Sequence, residues 1–263
     1  MTYIRLELMD IALAGILVLV NGALSLALGL GIERKLLVAS VRMVVQLLLV
    51  GLVLTWLFAT VSPWLTLGVA LVMVLFAGHE IMARQDRRLK GLWAYGLGTG
   101  CMLLAAGVVT LFALTTQLKP EPWYDPRYAI PLLGMVLGNT MTGIALGLNT
   151  LTAHVSLRRN AIEARLALGD SSHQATMPVV RQALSTALTP IINSMAATGV
   201  VSLPGMMTGQ ILGGVDPVEA VKYQILIMFL IAGGTGLGAV AAVMGGINRL
   251  TDHRHRVRLD RLR

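Results

Sequence analysis

The chain has 263 residues, 56% of them hydrophobic and 13% charged, with a mean hydropathy of +0.75 and a formal net charge of +8. A soluble globular domain carries about a quarter charged residues, so this balance excludes one and indicates an integral membrane protein. The one cysteine, Cys101, excludes an intrachain disulfide and a cysteine metal cluster, and without G-x-x-x-x-G-K-[ST] the chain binds no ATP through a P-loop.

Apolar windows of the roughly 20 residues needed to cross about 30 Å of hydrocarbon fall at 11–30, 36–58, 64–82, 92–117, 129–155, 184–212 and 221–247. The expected fold is all-α, a polytopic transmembrane helix bundle of seven spans forming a single domain over 1–263. The leader MTYIRLELMD is acidic overall and the first window is too long for a signal peptide, so that window reads as a span. Orientation follows from Lys and Arg in the loops. Arg34, Lys35, Arg84, Arg87, Arg88, Lys90, Arg158, Arg159, Arg165, Arg181 and the arginines of 249–263 share one side, which is the cytoplasm. Arg5, Lys119, Arg127 and Lys222 fall opposite, diluted by Glu7, Asp10, Glu121, Asp125, Asp216 and Glu219. The N-terminus is therefore expected outside and the C-terminus inside. Juxtamembrane arginines against anionic lipid account for the basic tail, and nucleic-acid binding is set aside.

In the second window Arg42 and Gln46 lie one helical turn apart and share a face. A charge at that depth either marks a partner or wet path or snorkels to the nearby cytoplasmic boundary. In the third, His79-Glu80 has the chemistry for iron, but adjacent side chains diverge by about 100° on a helix. Small residues spaced at four, Gly96/Gly100, Gly134/Gly138, Gly143/Gly147, Gly205/Gly209, Gly209/Gly213 and Gly234/Gly238, allow close helix approach within the bundle or at a homodimer seam. Asn139 and Asn149 in the fifth window, and Asn193 with Ser194 in the sixth, need hydrogen-bond partners and serve either as interhelical links or as a polar path.

Segment 158–182 (RRNAIEARLALGDSSHQATMPVVRQ) is a polar interlude that reads as helix, glycine, helix. Asn160 with Glu163 fits a capping box, Gly169 a C-terminal stop, and Ser171 with Gln174 a second box. Glu163-Ala164-Arg165, then Gly169, resembles the E-A-A-x-x-x-G signature of ABC-transporter permeases, whose cytoplasmic coupling helix docks on an ATPase. Arg165 stands where that signature has alanine, and Met177-Pro178 is the nearest match to its I-x-L-P.

The sixth window is interrupted at Thr198 to Gly209 (TGVVSLPGMMTG), where Pro204 and Gly205 are expected to bend the helix as a hinge or gate. Met206 and Met207 are soft ligands, better matched to Cu(I) than to Fe(II). Asp216-Pro217-Val218-Glu219 opens the last span as a capped helix start.

The run VSLPGMMTG (201–209) followed by GVDPVEAVKYQI (214–225) resembles the most distinctive block of the FetB (YbbM) family of ABC permeases. The likeness extends more weakly over nearly the whole chain, including Arg42 with Gln46, Gly138-Asn139 and Leu168-Gly169. It implies a bacterial inner-membrane permease that pairs with a separate ATPase and exports iron or another metal; plant relatives are tied to aluminium tolerance. The reading is a homodimer of permease subunits, not itself an enzyme, with ATP-Mg on the partner chain and no cofactor of its own. Coupling would run through Glu163, Ala164, Arg165 and Gly169. Arg42, Gln46, Asn139, Asn193, Pro204, Gly205, Met206 and Met207 would line the path or gate. A passive ion channel and an ABC permease for a small organic solute are the alternatives. A retinal pump lacks its lysine within the last span. His154, His173, His253 and His255 are too scattered for an intramembrane enzyme's metal site.

Overall fold

A computed structural model describes residues 7–252 and 256–263. Arg5, His253 and His255 lie outside the described residues. Among the described residues, the secondary structure includes nine α-helices and no β-strand. The chain divides into two compact units, the first ending at Val61 and the second running from Ser62 to Arg263.

The first unit is a hairpin of α1 (Leu8–Ala27) and α2 (Glu33–Ala59). Its turn carries two glycines with positive φ, Gly29 and Gly31. Ser25 ties the turn to the second helix: its hydroxyl donates to Glu33 Oε2 at 2.7 Å and accepts from the Ile32 N–H at 3.2 Å.

The second unit holds α3 (Pro63–Ala83), α4 (Trp93–Phe112, continued by a π-helical turn over Ala113–Leu118), α5 (Pro126–Leu157), α6 (Arg159–Ala167), α7 (Ser172–Ala197), α8 (Gly205–Leu212) and α9 (Pro217–Leu250). Helix α5 is the hub, packing on α3, α4, α7 and α9. Glycines set the α5–α9 spacing. A Cβ at Gly238 would stand 2.6 Å from Thr140 Cγ2, and one at Gly143 would stand 2.7 Å from Thr235 Cγ2. These two members of the spaced-glycine series serve packing within the bundle, whereas Gly96, Gly100, Gly205 and Gly209 have nothing within 4 Å of such an atom.

Among the described residues six helices are long and apolar enough to cross a membrane: α1, α2, α3, α4 with its π-turn, α5 and α9. The expected sixth span is divided instead. Residues 184–197 belong to α7, which begins back at Ser172 among polar residues, and 205–212 form the short α8. The bend expected at Pro204-Gly205 is a full interruption. The α7 helix stops at Ala197, Thr198 turns extended, Gly199 takes φ +91°, and Pro204 is the N-cap of α8. Proline thus starts a helix here, where its missing N–H costs nothing. Meanwhile Pro178 and Pro190 lie inside α7 itself.

At the α6 end of the unit, three segments assigned to the same side by charge pack together. The tail returns to the α3–α4 loop, with Arg88 and Arg263 exchanging backbone hydrogen bonds at 3.2 and 2.8 Å and the Lys90 N–H donating to Arg261 at 2.8 Å. Leu89, Ile162 of α6, Val179 and Val180 of α7 and Leu250 share one buried cluster, against which Val257, Leu259 and Leu262 of the tail pack. The basic tail is therefore pinned along its backbone, and its arginines are partly neutralised. Asp252, whose side chain is almost fully buried, holds Arg256 at 2.9 Å, and Arg258 pairs with Asp260 at 2.8 Å.

Candidate coupling helix and the cavity at the helix break

Helix α5 passes into α6 through a single residue, Arg158, which closes one helix and opens the next. With no extended stretch ahead of it, Asn160 falls inside α6 and the expected Asn160–Glu163 capping box does not form. Glu163 instead accepts from Arg159 Nε at 2.7 Å. The far end of α6 follows expectation. Gly169 has φ +100°, its N–H donates to Leu166, and the Asp170 N–H donates to Arg165, both at 3.1 Å. That pair of bonds is a Schellman stop. Arg165 Nε reaches over it to Asp170 Oδ2 at 2.7 Å. Ser171 and Gln174 complete their reciprocal box at the start of α7.

Ile162, 2% exposed, is the anchor of α6 in the apolar cluster beneath it. Glu163, Ala164, Arg165 and Gly169 are all exposed. So are Leu157 and Leu168, at 80% and 88%. Beside them Arg165, His173, Gln174, Met177, Pro178 and Arg181 line a groove of about 340 Å³. The result is a short helix held at both ends and at its base, presenting a mixed basic and apolar surface.

The second feature is a cavity of about 520 Å³ at the end of α7 away from α6, between the helix break and α9. Thr198, Gly199, Pro204 and Met207 form one wall, and Gln224 and Phe229 of α9 stand opposite. Of the residues expected on a path, Pro204 and Met207 line this cavity. Met206 is partly buried against the apolar core and Gly205 is exposed. Asn139 is exposed and donates to its own helix at the Met135 carbonyl, 2.9 Å, and Asn193 is exposed on α7. Arg42 and Gln46 lie on α2 in the first unit, Arg42 exposed and Gln46 half-buried.

Two partners were not legible from residue order. Asn149 is no midspan amide: its Oδ1 accepts from the Asp86 N–H and its Nδ2 donates to Asp86 Oδ2, both at 3.1 Å, clamping the α3–α4 loop to α5. Gln224, only 6% exposed, is one of the residues along the cavity wall, and its Oε1 is buried without a hydrogen-bond partner. A polar residue in an apolar run was the available signal for it. His79 and Glu80 diverge as their adjacency requires, His79 exposed and Glu80 buried near Arg84. Among the described residues no group of three or more His, Cys, Asp or Glu side chains stands together as a metal site.

Residues 8–251 match the family model described as Uncharacterised protein family (UPF0014). The chain is similar to UPF0014 membrane protein slr1647 of Synechocystis sp., 38% identical over 81% of this chain and 82% of that protein. It is similar to Protein ALUMINUM SENSITIVE 3 of Arabidopsis thaliana, 34% identical over 88% and 82%. It is also similar to Probable iron export permease protein FetB of Escherichia coli, 31% identical over 97% and 96%. No solved structure matches. Nearly the whole length is covered, and the chain belongs to the UPF0014 family of multi-pass membrane proteins.

Proposed function

We propose that this chain is the permease subunit of an ATP-driven transporter in the bacterial inner membrane, working as a homodimer with a separate ATPase that carries ATP-Mg. The observation that carries this reading is α6: nine residues rooted by buried Ile162 and stopped by Gly169, with Glu163, Ala164, Arg165 and Leu168 outward. A helix so fixed transmits a push to its neighbours instead of yielding to it. Its base shares a cluster with α5, α7 and α9, and α7 leads to the break at Thr198–Pro204. The likeness to the probable iron export permease FetB of Escherichia coli favours a metal ion, iron first, as the exported cargo.

The test is reconstitution with candidate ABC ATPases from the same organism, measuring ATP hydrolysis in lipid vesicles with Fe(II) and other metals in turn. Metal-stimulated hydrolysis that is lost in Glu163→Lys and Gly169→Val, with the protein still folded, supports the coupled permease. No complex with any ATPase, together with passive metal flux, would replace it with an ion channel.

A further inference from the structure

We propose that the cations gathered at the start of α4 form a headgroup site for one anionic phospholipid, whose acyl chain lies in a groove running along that helix. The assignment does not depend on the permease reading. It also goes beyond a general attraction of basic residues for acidic membranes, because it fixes one site.

A run of contacts brings the cations together. The Lys90 N–H donates to the Arg261 carbonyl at 2.8 Å, and Arg261 Nη1 donates to the Arg249 carbonyl at 2.6 Å. The Arg249 guanidinium in turn stands 4.9 Å from the centre of the Trp93 ring. The α3–α4 loop, the end of α9 and the tail thus place three cationic residues where α4 begins. The neighbouring carboxylate of Asp260 is already taken by Arg258 through two bonds of 2.8 Å. Among the described residues Lys90 and Arg249 have no carboxylate partner. A guanidinium held over an indole ring keeps N–H groups free for the oxygens of a phosphate, which it matches in geometry.

From this cluster a notch runs along α4. Gly96 and Gly100 have nothing within 4 Å of a side-chain position, and a groove of about 390 Å³ passes them from Leu92 and Trp93 to Leu104. The rise from Leu92 to Leu104 is about 18 Å at 1.5 Å per residue, close to one leaflet of a hydrocarbon core about 30 Å thick. Trp93 is half-exposed beside Leu92, which is 91% exposed. Tryptophan favours the headgroup level, so the mouth of the groove lies at the phosphates and its body among the chains. An apolar groove under a basic mouth is complementary to an acidic lipid along its whole length.

A second copy of this chain is the rival occupant, because glycines four apart also suit helix pairing. Charge decides against it. Two copies in one membrane are related by an axis along its normal, and a symmetric interface sets each residue near its own counterpart. Lys90 and Arg249 would then meet Lys90 and Arg249, whereas a phosphate answers both.

The probes are phosphatidylglycerol and phosphatidylcholine with dibrominated acyl chains, each titrated into phosphatidylcholine nanodiscs that hold the full chain. Bromine quenches tryptophan at short range, and Trp93→Phe supplies the blank for the other tryptophans. The expected result is saturable quenching of Trp93, with phosphatidylglycerol preferred roughly tenfold. Lys90→Gln with Arg249→Gln should bring that ratio to about one, and Arg249→Lys should keep most of the preference. Gly100→Leu, which extends into open space, should fill the groove and reduce quenching by both lipids.

Equal quenching by the two lipids would make the groove an ordinary lipid contact and overturn the assignment. So would a preference that survives the double substitution, quenching indifferent to Gly100→Leu, or displacement of the brominated phosphatidylglycerol by inorganic phosphate. Absence of quenching by either lipid would overturn it as well, and a dimer that Gly100→Leu then dissociates would give the groove to a second copy.

Discussion

Arg165 and Asp170 are joined twice, once through the backbone, where the Asp170 N–H donates to the Arg165 carbonyl at 3.1 Å, and once through their side chains at 2.7 Å. Both bonds arch over Gly169, whose positive φ makes the turn possible. The stop of α6 therefore rests on backbone conformation first and charge second.

The two contributions separate by mutation. Gly169→Val forces a β-branched residue into the left-handed region, at a cost of about 1–2 kcal/mol, and should lower the melting temperature of the purified chain. Arg165→Ala removes a half-exposed ion pair worth about 0.2–1 kcal/mol and should barely move it. If α6 docks an ATPase, both variants lose stimulated hydrolysis, so Arg165→Ala is the cleaner probe of docking.

Capping gives a second contrast. Ser171→Ala should destabilise by about 1 kcal/mol, because it empties a completed capping box. Asn160→Ala should be neutral, since Arg158 occupies the cap position of α6. Chemical unfolding of the two variants side by side checks this.

Glycine spacing makes opposite predictions at two sites. Gly238→Ala places a carbon 2.6 Å from Thr140 Cγ2 on the α5–α9 contact and should cost about 1–3 kcal/mol through overpacking. Gly96→Ala meets nothing within 4 Å and should be neutral or stabilising by up to about 1 kcal/mol, the helix-propensity difference. Thermal unfolding in detergent separates them.

The tail has a defined acid response. The hydrogen bond from Arg258, with its positive charge, pulls the Asp260 carboxyl down to about 2. A depressed carboxylate stabilises above its unfolded value and loses that contribution as pH falls toward the folded one, so the Arg258–Asp260 contact should persist unchanged from pH 7 to pH 4 and weaken only below. A carboxyl-carbon NMR titration of Asp260 reads this directly, and Arg258→Leu should return the midpoint to the ordinary range near 4.

The clamp between Asn149 and Asp86 predicts a local effect. Asn149→Leu removes both bonds that hold the α3–α4 loop to α5, and amide exchange across 84–92 should quicken while exchange in α9 stays unchanged.

By itself the sequence determined the all-α membrane character, the windows that became α1 to α5 and α9, the stop at Gly169 and the box at Ser171, because each depends on residues within a few positions of one another. Apolar length, a glycine after a helix and a serine three residues before a glutamine act through local backbone geometry. The tertiary structure decided the rest. It made Arg158 the joint between α5 and α6, which took Asn160 out of its cap. It turned the expected bend at Pro204 into a seven-residue gap between α7 and α8. It also joined Asn149 to Asp86 and buried the Gln224 Oε1 without a donor. The Asn149–Asp86 clamp closes across 63 residues of chain, and hydrogen-bond satisfaction at such a distance is set by packing, which no local pattern encodes.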